Sequence, residues 1–239
     1  MATPVAEKLF AMWQTSGERS LIVVGTAKNV GKTTTVTSFL QIAHARGISI
    51  GLTSIGRDGE AFDAVDEAPK PRIFVEAGTV VAAGRALLPH ARSIEILDEH
   101  ERSALGPIVF YRTNIPQYVE ISGAPTARGM RAVIERLMHL GVDRVIVDGA
   151  IDRVAVVATG TDPVIVATGM ALAPTIEGVA EATQRFITSG RLGSGRVLAC
   201  TTCPVGEGRS VDAAALGEAV AHATGLPSYD VQAGLQWTR

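Results

Sequence analysis

The chain opens with apolar residues at helical spacing and then changes to a continuous apolar run. Four large apolar side chains share one face of a helical repeat: Val5, Leu9, Phe10 and Trp13. This period predicts a short helix that packs one face against the rest of the protein. Residues 21–25 are almost entirely aliphatic, which predicts a buried first strand directly after the helix.

The change from strand to helix period is then repeated. Residues 33–46 have the period of a helix, and Gly47 supplies the residue that commonly ends one. Residues 48–55 form a second apolar run, which predicts a second strand. The order of strand, helix and strand predicts a right-handed crossover within a parallel sheet that is covered on both faces.

The region from about residue 56 to residue 121 has a less regular pattern. Strand-like runs occur at residues 72–76, 93–97, 108–112 and 117–121. The turn Asn114-Ile115-Pro116 predicts a hairpin or a sharp bend between the last two runs. We expect insertion-like or substrate-specific structure in this region.

The second half of the chain alternates regularly. The pattern predicts strands at residues 144–148, 164–167 and 197–200, and helices at residues 126–140, 175–188 and 211–223. Gly141 closes the first of these helices. The alternation predicts an α/β protein with a mostly parallel sheet, and residues 1–239 are expected to form a single domain.

Composition narrows the function classes. The 239 residues are 46% hydrophobic, and 22 lysines and arginines stand against 24 acids, a formal net charge of −2. This balance gives no broad field that would favour nucleic acid or an anionic membrane. No apolar stretch has membrane-spanning length, and residues 1–20 lack the pattern of a signal peptide. We therefore expect a cytoplasmic protein that binds neither nucleic acid nor membranes.

The segment between the first strand and the first crossover helix reads Gly-Thr-Ala-Lys-Asn-Val-Gly-Lys-Thr-Thr. Its candidate nucleotide-binding residues are Gly25, Thr26, Lys28, Asn29, Val30, Gly31, Lys32, Thr33 and Thr34. Backbone N–H groups of such a loop surround phosphate oxygens, Lys32 reaches the β- and γ-phosphates, and the Thr33 hydroxyl binds Mg²⁺. The alternative is a glycine-rich turn that merely ends a strand. The commonest pattern has its glycine at position 26, whereas this chain has it one residue earlier.

Two acids are candidates for the metal and hydrolysis shell. Asp148 ends an aliphatic strand in the manner of a Walker B acid, and Asp58 follows the second strand between two glycines. Acids at the carboxyl ends of parallel strands lie at one sheet edge, so both could meet Mg²⁺ there. For each acid, the alternative interpretation is that it is a turn residue without a role in metal binding. Arg57, Lys70 and Arg72 could meet phosphate or lie in solvated loops.

Three further features have open interpretations. Lys28 either points into solvent or contacts phosphate, in one version across a homodimer interface. Cys200 and Cys203 form a Cys-x-x-Cys-Pro segment, which we interpret as reduced, structural cysteines in a loop beside the nucleotide site. The sequence lacks an Asn-Lys-x-Asp guanine motif, so ATP is favoured over GTP, with residues 200–205 expected to contact the base.

The loop resembles that of dethiobiotin synthetases, which read Gly-Thr-Asp-Thr-x-Val-Gly-Lys-Thr. The matching positions are Gly25, Thr26, Val30, Gly31, Lys32 and Thr33. This resemblance implies the SIMIBI branch of P-loop NTPases, with a mostly parallel sheet of about seven strands and helices on both faces. Those enzymes carry Lys-Pro after the second strand and Glu-Gly-Ala-Gly after the acid strand, where this chain has residues 54–57 and 148–151 of different type.

The chain is also similar to the small P-loop subunit of the reactivating factor for cobalamin-dependent lysine aminomutase. The similarity lies in residues 25–34, 53–60, 70–75 with 78–79, and 145–150. It implies an ATPase that exchanges damaged cobalamin from an aminomutase together with a second reactivating subunit. It also implies that Lys32 and Thr33 contact phosphate and Mg²⁺, with Asp58 and Asp148 in the metal and hydrolysis shell. A dethiobiotin-type ligase and a nonenzymatic nucleotide-sensing module are the alternatives.

Overall fold

The computed structural model describes residues 2–55, 72–103, 105–149 and 162–238. Its α-helices are α1 (Pro4–Thr15), α2 (Lys32–Ala45), α3 (Ala127–His139), α4 (Ile176–Thr188) and α5 (Ala213–Thr224). Its strands are β1 (Ser20–Gly25), β2 (Ile50–Ser54), β3 (Ile73–Val75), β4 (Val80–Gly84), β5 (Ile94–Ser103), β6 (Gly106–Thr113), β7 (Gln117–Val119), β8 (Arg144–Gly149), β9 (Pro163–Gly169), β10 (Arg196–Cys203), β11 (Val205–Gly206), β12 (Arg209–Ser210), β13 (Ser228–Asp230) and β14 (Leu235–Trp237). No helix in this part of the chain is both long and apolar enough to cross a membrane.

Within the described residues, ten strands form the main sheet, in the order β14-β13-β10-β9-β1-β8-β2-β4-β6-β5. All neighbours from β13 to β4 pair in parallel, which gives seven parallel strands. The resemblance-based expectation of about seven strands therefore fits the parallel part. It missed the antiparallel strands, with β14 at one edge and β6 and β5 at the other, which extend the sheet to ten.

The strand that leads into the glycine loop lies in the middle of this sheet. β1 is buried along its whole length and pairs in parallel with β8 on one side and β9 on the other. In register, Val23 of β1 lies opposite Asp148, and Asp148 lies opposite Ser54 of β2. The carboxyl ends of β1, β8 and β2 therefore meet at one edge, where α/β proteins commonly bind their ligands.

Two hydrophobic layers cover the sheet. One contains α1, α2 and the buried side of the β3–β7 pair, and the other contains α3, α4 and α5. The first layer is organised by aromatic rings: Trp13 stacks on Phe39 at a centroid distance of 6.2 Å, and Phe10 meets both edge-on. The predicted packing helix is confirmed, since Val5, Leu9, Phe10 and Trp13 are all buried.

The region from residue 56 to residue 121 supplies part of the main sheet. β4, β5 and β6 belong to it, whereas β3 and β7 pair with each other as a separate two-stranded sheet. The chain therefore makes a sharp bend at Asn114-Ile115-Pro116 rather than a hairpin, because β6 pairs with β4 and β5. β4 was not predicted. Its sequence Val-Val-Ala-Ala-Gly is short, and three of its five residues are alanine or glycine, which gives a weak strand signal.

The prediction that the two cysteines lie in a loop was wrong. β10 continues beyond residue 200 to Cys203, so both cysteines belong to a strand. Cys200 is completely buried, and burial raises the pKa of its thiol to about 12, so it stays protonated and inert. Both thiols are free, as expected for reduced cysteines. Pairing with β9 carries β10 further than its short apolar run predicts.

Candidate nucleotide-binding site

The loop between β1 and α2 is a tight turn with two residues in the left-handed region. Asn29 has a φ of 60° and Gly31 a φ of 83°. Asparagine tolerates that conformation better than most residues, and glycine adopts it without steric cost. A Cβ at position 31 would also lie 3.5 Å from the Cβ of Cys203. The turn therefore needs a glycine at position 31, and it brings the end of β10 against the loop.

The early glycine at position 25 is explained by close packing within the loop. A Cβ there would lie 3.2 Å from the carbonyl oxygen of Ala27 and from Cγ2 of Val30. The next residue, Thr26, donates its backbone N–H to the carbonyl of Ala167 on β9 at 2.8 Å. The loop is thus folded back on itself at Gly25 and tied to the neighbouring strand at Thr26.

The N-terminus of α2 differs from those of the other described helices. Helices α1, α3, α4 and α5 each have a side-chain cap, from Thr3, Thr126, Thr175 and Asp212 respectively. Gly31 caps α2 without a side chain, and no acid occupies its first turn. The first N–H groups of a helix have no partner within the helix, and its positive dipole end attracts anions. This end of α2 has the properties of a phosphate site.

Lys32 and Asp148 lie together above the end of the sheet. Nζ of Lys32 is 3.0 Å from Oδ1 of Asp148 and donates a hydrogen bond of 3.0 Å to the carbonyl of Gly149. Lys32 is the first residue of α2 and Asp148 is near the end of β8, so two different elements position the pair. The sequence predicted both residues, and the structure brings them together.

The carboxylate of Asp148 is in an unusual environment for an acid. Burial raises the pKa of the Asp148 carboxyl, and the charge of Lys32 acts in the opposite direction. Oδ1 is buried, and its partner among the described residues is the ammonium of Lys32 at 3.0 Å. A buried carboxylate oxygen with unused lone pairs, next to a helix end that attracts phosphate, is the type of ligand that Mg²⁺ prefers.

The remaining predicted loop residues fall into two groups. Lys28, Asn29 and Thr34 are exposed, and Thr33 is half-buried in the first turn of α2. Thr26 and Val30 are buried, so their side chains are not offered to a ligand, and the backbone N–H of Thr26 is already bound to Ala167. Thr26 Oγ1 instead donates to the hydroxyl of Thr168.

Several predicted residues cannot be placed. Arg57, Asp58 and Lys70 lie outside the described residues. Arg72 is described, and its Nε contacts Oε1 of Glu120 at 3.2 Å while two thirds of its side chain remains exposed. Its place beside the β3–β7 pair supports the solvated interpretation of this arginine.

Sequence reasoning missed the groups that surround the loop from other strands. They are the Gly149 carbonyl under Lys32, Thr168 under Thr26, and Ser54 opposite Asp148. All of them follow from the strand order, which periodicity does not give. The Gly after Asp148 was visible, but nothing in the sequence indicates that its carbonyl accepts from Lys32.

Gly123 lies against the end of β2 and connects its own segment to that strand. Its N–H donates to the carbonyl of Ser54 at 2.7 Å, and a Cβ at this position would lie 2.3 Å from that same oxygen. We expect Gly123→Ala to reduce the free energy of unfolding by about 2–3 kcal/mol, because backbone must move to admit the methyl group. Thermal or urea unfolding measures this effect.

A second glycine provides the comparison. Gly47 has a φ of 66° and open space where a Cβ would stand, so Gly47→Ala reports the cost of the backbone conformation alone. That cost is about 1 kcal/mol. A smaller loss in Gly123→Ala than in Gly47→Ala would contradict the tight approach of Gly123 to β2.

The fold follows from this geometry. The glycine loop joins a central parallel strand to an uncapped helix, and the acid strand lies directly beside that strand. The chain is therefore an α/β protein with helices on both faces of a mostly parallel sheet, and its central strand, glycine loop and helix have the arrangement of a phosphate-binding loop.

The comparisons with known proteins add little to this result. No family model and no curated protein matches the chain. A solved structure among those that match, the kinase domain of the Escherichia coli tyrosine kinase ETK, is similar at a TM-score of 0.39 and 19% sequence identity. The alignment covers 79% of this chain and 69% of that chain. A likeness of this size supports no argument about function, which has to come from the site.

Proposed function

We propose that this protein binds ATP with Mg²⁺ through residues 25–34 and hydrolyses it slowly. The observation that carries the proposal is the Lys32–Asp148 pair at the uncapped end of α2. A glycine-rich turn that merely ended a strand would need neither a lysine directed across to the neighbouring strand nor a buried acid beside it. Together these groups supply a cation for phosphate and a carboxylate for a metal.

Each residue has a distinct role in this proposal. Backbone N–H groups at the start of α2 hold phosphate oxygens, and the ammonium of Lys32 pairs with the β- and γ-phosphates. Thr33 and Asp148 are the residues that would hold Mg²⁺, directly or through water. When bound, the ion neutralises phosphate charge. Asp58, outside the described residues, is proposed to orient the attacking water.

ATP is proposed rather than GTP because the sequence has no Asn-Lys-x-Asp motif. The end of β10 is the proposed base side, since Cys203 lies against Gly31 and the next segment begins with the exposed Val205. A direct competition between ATP and GTP, measured by displacement of one labelled nucleotide, decides between them.

The proposed physiological role is the reactivation of a cobalamin-dependent aminomutase together with a second reactivating subunit. Its support is the sequence similarity in residues 25–34, 53–60 and 145–150. A dethiobiotin-type ligase has support from the loop alone, because the segments after β2 and β8 differ from those enzymes. A nucleotide-sensing module would use the same loop without turnover.

ATPase measurements under three conditions separate these functions. We expect MgATP binding by the protein alone, slow phosphate release, and faster release only when inactivated aminomutase and the second reactivating subunit are added. Stimulation by diaminopelargonate would instead support the ligase. Binding without turnover in every condition would leave the sensing module, and absence of ATP binding would refute the proposed function as a whole.

A further inference from the structure

A chain of buried hydroxyl groups connects the nucleotide loop to α4. Thr26 Oγ1 donates to Thr168 Oγ1 at 3.1 Å, Thr168 Oγ1 lies 2.7 Å from Thr183 Oγ1, and Thr183 Oγ1 donates to the carbonyl of Val179 at 2.7 Å. Thr168 and Thr183 are completely buried, and Thr26 is 6% exposed. The chain thus runs from the first residue of the loop, through β9, into the backbone of α4.

The direction of these hydrogen bonds is fixed by counting protons. A threonine hydroxyl has one proton to donate. Thr183 uses its proton on the Val179 carbonyl, so it must accept from Thr168. Thr168 is then left to accept from Thr26, as the geometry of that contact shows. The hydroxyl proton of Thr26 is therefore directed into the protein and is not available to a phosphate.

This anchor lies on the opposite side of the sheet from Lys32 and Asp148. Val164 and Val166 of β9 belong to the layer of α3, α4 and α5, and Thr168 continues that alternation. Ile146 belongs to the layer of α1 and α2, and Asp148 continues its alternation on that side. The loop therefore crosses the carboxyl edge of the sheet, with its first residue held on one side and its lysine on the other.

We propose that Thr168 and Thr183 are positioning residues for the nucleotide loop. By holding the Thr26 hydroxyl, they fix the start of the loop, so that the backbone N–H groups of the following residues face one point. A threonine at position 26, where a P-loop commonly has glycine, can then serve as an anchor. This inference rests on the proposed nucleotide binding. It adds two buried residues that would act on binding through Thr26, without contact to the ligand.

Thr168→Val tests the anchor, because valine keeps the shape of threonine and removes the hydroxyl. We expect MgATP affinity to fall about tenfold, since the start of the loop is no longer held at Thr26 and has to be ordered when the nucleotide binds. Thr168→Ser should restore most of the affinity. We expect the same loss of MgATP affinity in Thr26→Val and in the double variant Thr26→Val/Thr168→Val as in Thr168→Val alone. All three variants break the same contact, so the losses should not add.

Ser228→Ala is the matched control. Ser228 is completely buried and its hydroxyl donates to the carbonyl of Gly217 at 3.0 Å, on a strand that does not touch the loop strand β1. Ser228→Ala should lower the free energy of unfolding about as much as Thr168→Val does, and it should keep full ATP affinity. Equal loss of affinity in Ser228→Ala and Thr168→Val, or additive losses in the double variant, would overturn the positioning role.

Amide hydrogen exchange on the nucleotide-free protein tests the anchor independently of ATP. We expect peptides that cover residues 26–31 to exchange faster in Thr168→Val than in the wild type. In Ser228→Ala, the exchange rate of these peptides should equal that of the wild type. If the wild type binds no ATP, the proposed function fails while this exchange result still judges the anchor. Unchanged exchange in residues 26–31 of Thr168→Val would refute it.

Discussion

Lys32→Ala should lower the affinity for MgATP by at least about a hundredfold, because a charge-assisted hydrogen bond to phosphate contributes about 1.5–3 kcal/mol and the charge itself adds to this. Isothermal calorimetry measures the loss. If Lys32→Ala bound MgATP with wild-type affinity, the loop would not be part of the nucleotide site. Lys32→Arg should retain part of the affinity, since it keeps the charge but changes the shape of the donor.

The same substitution affects the free protein, so its interpretation needs two controls. Without Lys32, the buried Asp148 carboxylate loses its ion-pair partner, and the variant should unfold at a lower temperature. Binding must therefore be measured where circular dichroism shows the variant folded. Lys8→Ala removes a lysine from the exposed face of α1 and should leave both ATP affinity and unfolding temperature unchanged.

The sequence was sufficient for the elements around the loop because three signals coincide there. An aliphatic run, a glycine-rich turn with Lys-Thr, and a helical period ending at Gly47 predicted β1, the loop and α2 in order. The run into Asp148 predicted β8 in the same way. Each signal is local, so it needs no knowledge of which strands are neighbours.

What the sequence did not give is the set of contacts between distant segments. Thr168 meets Thr26 across 142 positions of the chain, and only the pairing of β9 with β1 brings them together. Three strands of the sheet were missed for a different reason. β4 is a weak strand former that is stabilised by its neighbours, and β13 and β14 are only three residues long.

Asp148→Asn gives a prediction in which the sign of the effect depends on Mg²⁺. Asparagine keeps the size of the side chain and removes its charge. Since burial raises the pKa of the Asp148 carboxyl, keeping it ionised is already unfavourable, and the folded protein should lose little stability when that charge is removed. Lys32 is then no longer paired with a carboxylate and becomes more available to phosphate.

We therefore expect ATP affinity in the presence of EDTA to stay equal or rise in Asp148→Asn, and affinity in the presence of Mg²⁺ to fall about tenfold or more, since hard cations prefer carboxylate oxygens. Asp143→Asn is the control on the same stretch of chain. Asp143 accepts two hydrogen bonds from Ser49 beside the opposite end of β8, so its loss should not change either affinity. A parallel loss with and without Mg²⁺ in Asp148→Asn would show that Asp148 supports Lys32 or the fold, and does not hold the metal.

Asp58→Asn completes this prediction by separating metal binding from hydrolysis. In the sequence, Asp58 lies between Gly56 and Gly59, and its proposed role is to orient the attacking water. Its variant should keep ADP affinity and lose turnover, whereas Asp148→Asn should lose Mg²⁺-dependent affinity for both nucleotides. Because Asp148 is fixed by strand pairing on both sides and Asp58 follows a strand end, comparable losses of ADP affinity in the two variants would contradict this division of roles. Full turnover in Asp58→Asn would instead make that residue a turn former.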